Sequence, residues 1–301
     1  MSTPAAGTTK KRLFSRNDYL APLPIPTGEK PTDVLNTIWY KNEVFLDIGN
    51  YSIGSAVMVI WLMGMLFALM YYITPDPLML GGGLIIVGIP TCFVIQGLFR
   101  EVPLPVRFNR QRREVCVPLK DGEYWIVPWE SVTAAATQHS SVSQAGKATM
   151  GLLVIGFENP DPQAKDDNKH FSLGFNCGGG TTAMALWECT RSYMEIGPDA
   201  VPDSRVGIAP YEETQIGSII TDLRKGNLIG VVWDIFCITI LGTYLAEKLQ
   251  NLKLSHPPGL TYPAIIEWSK PLPPEQWAKR SPELEAAIAK REAELAALPQ
   301  T

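Results

Sequence analysis

The sequence predicts an α+β membrane protein: an N-terminal transmembrane helical hairpin, a cytosolic antiparallel β domain closed by a helix, and a third transmembrane helix. Three observations lead there. Two uncharged apolar runs, Ser52–Ile73 and Leu78–Phe99, are joined only by Thr74-Pro75-Asp76-Pro77. Short alternating segments between residues 105 and 175 precede one amphipathic stretch, Thr182–Ile196. The mean hydropathy of +0.04 over 301 residues is high for a soluble chain and low for one made mostly of spans, so apolar segments are joined to a larger polar part.

The hairpin follows from length. About 20 helical residues, rising 1.5 Å each, cross a hydrocarbon core roughly 30 Å thick. The run beginning at Val57 is apolar on every face, whereas a helix at a protein surface keeps a polar stripe. The prolines of the turn stop the first helix before the second begins. The second run carries Gly81, Gly82, Gly83, Gly88 and Pro90, residue types more frequent in membrane helices than in soluble ones. Arg100, Arg107, Arg110, Arg112 and Arg113 follow it, and the turn has no Lys or Arg, so the positive-inside rule puts the outer flanks in the cytoplasm.

The third apolar stretch, residues 228–246, contains Asp234. A central carboxylate costs about 2.5–3.5 kcal/mol on an insertion scale, less if it faces other helices. The stretch is expected to span, with a re-entrant or surface-lying helix as the alternative. Arg224 and Lys225 before it and Lys248 and Lys253 after it leave its direction open. A spanning helix places residues 247–301 outside the cytoplasm. That part is Pro-rich and then helical, with Ser281 as N-cap, Pro282 at the first helical position and Leu284, Ile288, Leu295 and Leu298 on one side.

Residues 1–34 are small, polar and basic, without the apolar core of a secretory signal, and read as a disordered cytosolic tail leading to a juxtamembrane segment, 35–51. In the β domain, 105–197, strands are expected at Pro105–Asn109, Glu114–Leu119, Tyr124–Trp129, Val132–Thr137, Gly151–Phe157 and His170–Phe175. Lys120-Asp121-Gly122 is a hairpin-turn signal, and Gly197-Pro198 stops the closing helix. This element order is that of a pleckstrin-homology-like split barrel. Residues 198–227 read as a linker.

Little in the sequence points to catalysis. His139, His170 and His256 are far apart and none has a carboxylate or Cys at ligand spacing, so no metal site or cofactor is expected. Five scattered cysteines give no disulfide framework. Motifs for nucleophilic, zinc-dependent or P-loop chemistry are missing, and a net charge of -4 argues against general nucleic-acid binding. Gly178-Gly179-Gly180-Thr181 offers a strand-to-helix turn that either holds an anion on backbone N–H groups or merely connects two elements. Arg107, Arg110, Arg112 and Arg113 offer contacts to anionic lipid or serve as a topology signal. Gly81, Gly82 and Gly83 permit close helix approach, and Asp234 offers a polar contact at membrane depth.

The segment Pro105–Val117, with its string Arg107-Phe-Asn-Arg-Gln-Arg-Arg-Glu114, followed by Val127-Pro-Trp-Glu130 and Leu153-Val-Ile-Gly-Phe157, resembles a proteobacterial membrane-protein domain family of unknown function. Members couple two membrane helices to this strand pattern, and their genes sit beside type VI secretion effectors. The resemblance covers residues 35–200 and brings no catalytic residue. It implies the cognate partner of a secreted antibacterial toxin, most naturally an immunity protein; with the spans and the missing catalytic set, a non-enzymatic inner-membrane immunity protein is expected, its partners the bilayer and a pore-forming or membrane-targeting toxin. The alternative is a membrane-tethered adaptor whose β domain binds protein or anionic lipid during effector loading.

Overall fold

A computed structural model of the chain describes residues 4–119, 122–143, 146–207, 211 and 214–297. They fall into two units: Met1–Asn50, Leu104–Ser204 and Gly259–Thr301 make the first, Tyr51–Pro103 and Arg205–Pro258 the second.

Among the described residues, the first unit holds ten strands, all paired antiparallel. One sheet runs β1 (Thr9–Lys11), β2 (Ser15–Ala21), β8 (Thr133–Ser143), β9 (Gly146–Glu158), β10 (His170–Asn176); the other runs β3 (Ile38–Lys41), β4 (Phe45–Ile48), β5 (Val106–Asn109), β6 (Glu114–Pro118), β7 (Tyr124–Pro128). Helix α3 (Gly180–Glu195) follows β10. Both sheets and α3 contribute to one core that includes Ile38, Leu46, Phe108, Leu153, Phe157 and Trp187. Trp129 stacks on Trp187 at 5.5 Å between centroids, and Phe108 meets Trp129 edge-on. Such ring pairs add roughly 0.5–1.5 kcal/mol each beyond the area they bury.

The second sheet is buried on both faces. Strand alternation turns Val115, Val117, Trp125 and Val127 into the main core. Cys116, Tyr124 and Ile126 point the other way, onto Leu260, Ile265, Tyr262 and Trp268 of the C-terminal segment. That segment forms α7 (Pro263–Trp268) and α8 (Pro282–Ala296), the latter capped by Ser281, whose Oγ accepts from Leu284 N at 3.1 Å. Leu284 and Ile288 are buried, and Leu295 packs over Gly28. Leu298, and Lys120 and Asp121 of the expected hairpin turn, lie outside the described residues.

Where a disordered tail and a juxtamembrane segment were expected, residues 1–51 supply β1 to β4. Of the basic residues that suggested a tail, Lys10 and Lys11 lie exposed on the edge strand β1, where charge blunts further pairing, and Arg16 is exposed on β2. Asp18 ties the edge together, accepting from Thr9 Oγ1 at 2.6 Å and pairing with Arg16. β2 pairs with β8 through six registered residues, and Leu20 and Ala21 reach the core.

The second unit contains α1 (Gly54–Ile73) and α2 (Pro77–Phe99), both long and apolar enough to cross a membrane. Asp76 caps α2 by accepting from Leu78 N at 2.9 Å. Nearly all of their apolar surface is exposed, including Leu78, Ile85 and Phe93, and lipid is the solvent that tolerates such a surface. Then come α4 (Gln215–Arg224), α5 (Leu228–Phe236), a π-helical stretch at Cys237–Leu241 and α6 (Thr243–Leu254). The straight helix expected over 228–246 is instead two helices bent by 73°. The bend is at Gly242, whose φ of +67° favours glycine, and a Cβ there would lie 2.5 Å from Trp61 Cγ. Trp61 Nε1 donates to Thr239 O at 2.9 Å, satisfying a carbonyl beside the break. Gln250 of α6 caps α1, accepting from Ile53 N at 3.0 Å and donating to Tyr51 O at 2.8 Å.

A Cβ on Gly151 would lie 2.2 Å from the backbone of Gly179, where no rotamer change gives relief. Gly151→Ala is expected to destabilise the protein by about 1–3 kcal/mol. Gly174→Ala, whose Cβ would meet only Leu152 at 4.0 Å, is expected to cost far less. Thermal unfolding of the detergent-solubilised chain checks both.

Candidate functional site

Two places in the molecule gather the residues singled out by the sequence. One is the Arg107–Glu114 string of the first unit. Its alternation sends Val106 and Phe108 to the main core, and Arg107 and Asn109 to the opposite face. There Arg107 donates from Nε and Nη2 to the two carboxylate oxygens of Asp47, both at 2.7 Å, and from Nη1 to Ser269 Oγ at 2.9 Å. Its guanidinium lies 3.7 Å from the Phe45 ring centroid. Burial pushes the Asp47 carboxyl above its ordinary range against the pull of Arg107. Burial also pushes the neighbouring Cys116 thiol up to about 12, so it stays protonated and poorly nucleophilic.

The rest of the string binds backbone. Asn109 Nδ2 and Arg112 Nε both donate to Trp268 O, at 3.1 and 2.9 Å. Gln111 accepts from Leu272 N through its side chain at 2.7 Å and from Ala278 N through its carbonyl at 2.8 Å. Trp268 Nε1 returns a bond to Glu114 Oε2 at 2.7 Å. Arg110 reaches Ile196 O at 3.3 Å and faces the Trp277 ring.

Arg113, held with φ of +52°, reaches Glu195 at the end of α3. Its Nη1 and Nη2 donate to Glu195 Oε2 and Oε1 at 3.2 and 2.9 Å, and Nη2 also reaches Glu130. Trp129 Nε1 donates to Glu195 Oε1 at 2.7 Å, and Arg280 Nε to Oε2 at 2.6 Å. Burial raises the Glu195 pKa, but the bond and charge of Arg113, the Trp129 N–H and Arg280 outweigh it, and the pKa falls below the ordinary range.

These contacts engage all four arginines, expected as lipid contacts or a topology signal, within the first unit. Arg107 and Arg113 are buried in ion pairs, and Arg110 and Arg112 are spent on backbone carbonyls of the same unit. At Arg107 or Arg113 a phosphate would have to displace a buried carboxylate, leaving it unpaired. The string instead receives the C-terminal segment.

The second place is the hairpin. The structure separates the three consecutive glycines: Gly83 is filled by Phe67 of α1, while nothing lies within 4 Å of a Cβ on Gly81 or Gly82. Beside Gly83 the two helices leave an apolar groove of about 410 Å³, lined by Gly64, Phe67, Ala68, Leu84, Val87 and Gly88 among others. Gly64 and Ala68 were not singled out beforehand. Their spacing of four, small residue to small residue, is the signal that marks them. Asp234 is not with them: its Oδ2 accepts from Ser218 Oγ of α4 at 2.8 Å.

Among the described residues, no group of three or more His, Cys, Asp or Glu stands together to hold a metal ion. At the Gly178–Thr181 turn, Gly179 N donates to Cys177 O at 2.8 Å, so that amide serves the connection between β10 and α3. Against family models, curated proteins and solved structures, the chain finds no match.

Glu195→Gln removes one partner of a buried pair and is expected to cost about 3–5 kcal/mol. Since the folded pKa of Glu195 is lowered, its contribution is complete above the ordinary carboxylate pKa and is lost as pH falls through the lowered value. The wild type therefore loses stability on acidification over a window that the variant lacks. Chemical unfolding between neutral and acidic pH checks this.

Proposed function

We propose that the protein is an inner-membrane immunity protein that neutralises a membrane-targeting, pore-forming toxin of a type VI secretion system by binding it within the bilayer. The observation that carries this reading is the groove between α1 and α2. Helices already in lipid gain nothing further from hydrophobicity and associate through close packing, which small residues such as Gly64, Ala68 and Gly88 permit. A toxin that depolarises a cell by inserting helices must be met in the membrane it enters. The resemblance of residues 35–200 to a family encoded beside type VI effectors supplies the kind of partner.

In this reading the Pro75–Pro77 turn faces outward and the first unit is cytosolic, following the arginines after α2. The first unit then serves as a pleckstrin-homology-like body, β5 to β10 and α3 extended by β1 to β4. A second reading, the adaptor, draws on a pocket of about 240 Å³ in the first unit, lined by Arg16, Asp18, Thr27, Glu29 and Arg291 among others. Deletion of an adaptor lowers effector secretion without making cells toxin-sensitive. Deletion of an immunity protein does the reverse.

The test is expression in a sensitive strain with the toxin encoded beside the gene directed to the periplasm. Survival and retained membrane potential are expected with the wild type. Gly88→Leu adds bulk where a Cβ meets nothing within 4 Å, so it fills the groove without disturbing α1–α2 packing. At equal membrane abundance it is expected to lower survival at least tenfold. Unchanged killing with the wild type contradicts the immunity reading, and full protection by Gly88→Leu removes the groove as the contact.

A further inference from the structure

We infer that residues 215–254 form a re-entrant element, which enters one leaflet and returns to the side it left, with the apolar face of α5 seated among acyl chains. The first ground is connectivity. The chain leaves the first unit after Ser204 and rejoins it at Gly259. Residues on both sides of that excursion are interlocked: Trp268 with Asn109, Arg112 and Glu114, and Arg280 with Glu195. A segment whose two ends are fixed in one body cannot finish on opposite sides of a bilayer, so it crosses an even number of times or not at all. A single third span is excluded by this count.

The second ground is depth. Within the second unit, Ala246 of α6 lies against Gly54 at the start of α1, and the break at Gly242 lies against Trp61. Trp61 is seven residues beyond Gly54, or about 10 Å along the axis. Half of the hydrocarbon core is about 15 Å, so the chain turns inside one leaflet. α1 packs against α6 and the π-helical stretch, which makes the bend continuous with the surface of a helix apolar enough to span.

The third ground is the surface presented. α5 exposes Ile229 at 85%, Val232 at 67% and Trp233 at 62%, an arrangement that water penalises and acyl chains accept. The polar groups are placed to suit. Asp234 bonds Ser218 of α4, while Arg224 and Lys225 precede the apolar stretch and Lys248 and Lys253 follow it in the chain. Among the described residues, α5 and the π-helical stretch carry no charge besides Asp234. The occupant of this face is therefore lipid of one leaflet, whichever partner the hairpin binds.

The experiment uses the full chain in membrane vesicles of both orientations, with Cys92 and Cys237 replaced by Ala and the three buried cysteines kept. Lys225→Cys, His256→Cys and Glu123→Cys are each treated with a membrane-impermeant maleimide, with Pro75→Cys as the opposite-side reference. Labelling of the first three from one side and of Pro75→Cys from the other is expected. Labelling of Lys225→Cys and His256→Cys from opposite sides overturns the proposal. A spin label at Val232→Cys, and separately at Ile229→Cys, then reads depth. Both are expected to be more accessible to oxygen than to a water-soluble nickel chelate, and the reverse order at both overturns insertion.

Discussion

Glu195 ends α3 inside the first unit with Arg113 on one side, Arg280 on the other and the Trp129 indole above it. A buried carboxylate left without partners costs several kcal/mol, so these three groups must arrive together for the unit to close. They come from the β5–β6 turn, from the residue after β7 and from the chain before α8. Two of them are separated by the whole of the second excursion of the chain. The fold therefore cannot be assembled piecewise: the membrane segments are loops thrown out from a body whose own pieces lock to each other. The Asp47–Arg107 pair repeats the device on the far face of the sheet and brings Ser269 into it.

Much of this was legible in the sequence where the signal is local. Length and lack of charge mark α1 and α2, alternation marks β5 to β10, and Ser281-Pro282 marks the start of α8. What was not legible depends on partners far along the chain. Arg107 and Arg113 read as a basic patch because sequence counts charges and cannot see Asp47, 60 residues away, or Glu195, 82 residues away. β1 and β2 read as a tail because short strands with exposed Lys10, Lys11 and Arg16 have the composition of disorder. In the groove, Gly83 stood out in a run of three glycines, whereas Gly64 and Ala68 needed the second helix to give them meaning. Asp234 drew attention as a charge at membrane depth, and its partner proved to be a serine sixteen residues earlier, on α4.

The membrane part obeys a different solvent. In water, the apolar surfaces of α1, α2 and α5 would drive aggregation; in lipid they carry no such drive, and what distinguishes one position from another is shape and hydrogen bonding. Gln250 capping α1 and Trp61 bonding the broken backbone at Thr239 are where the unit satisfies polar groups that lipid will not. The groove beside Gly83 is where shape is left unfilled. The proposed immunity role rests on that groove.

The C-terminal segment is part of the fold, held by the Arg107–Glu114 string. Hydrogen exchange across residues 262–296 in the intact, membrane-inserted chain measures this directly. The amides of Leu272, Ala278 and Ser281, which donate to Gln111 and Glu130, are predicted to exchange as slowly as those of β5 and β6 and to lose protection together in Arg113→Gln. Exchange of these amides at the rate of a free coil in the wild type would contradict it.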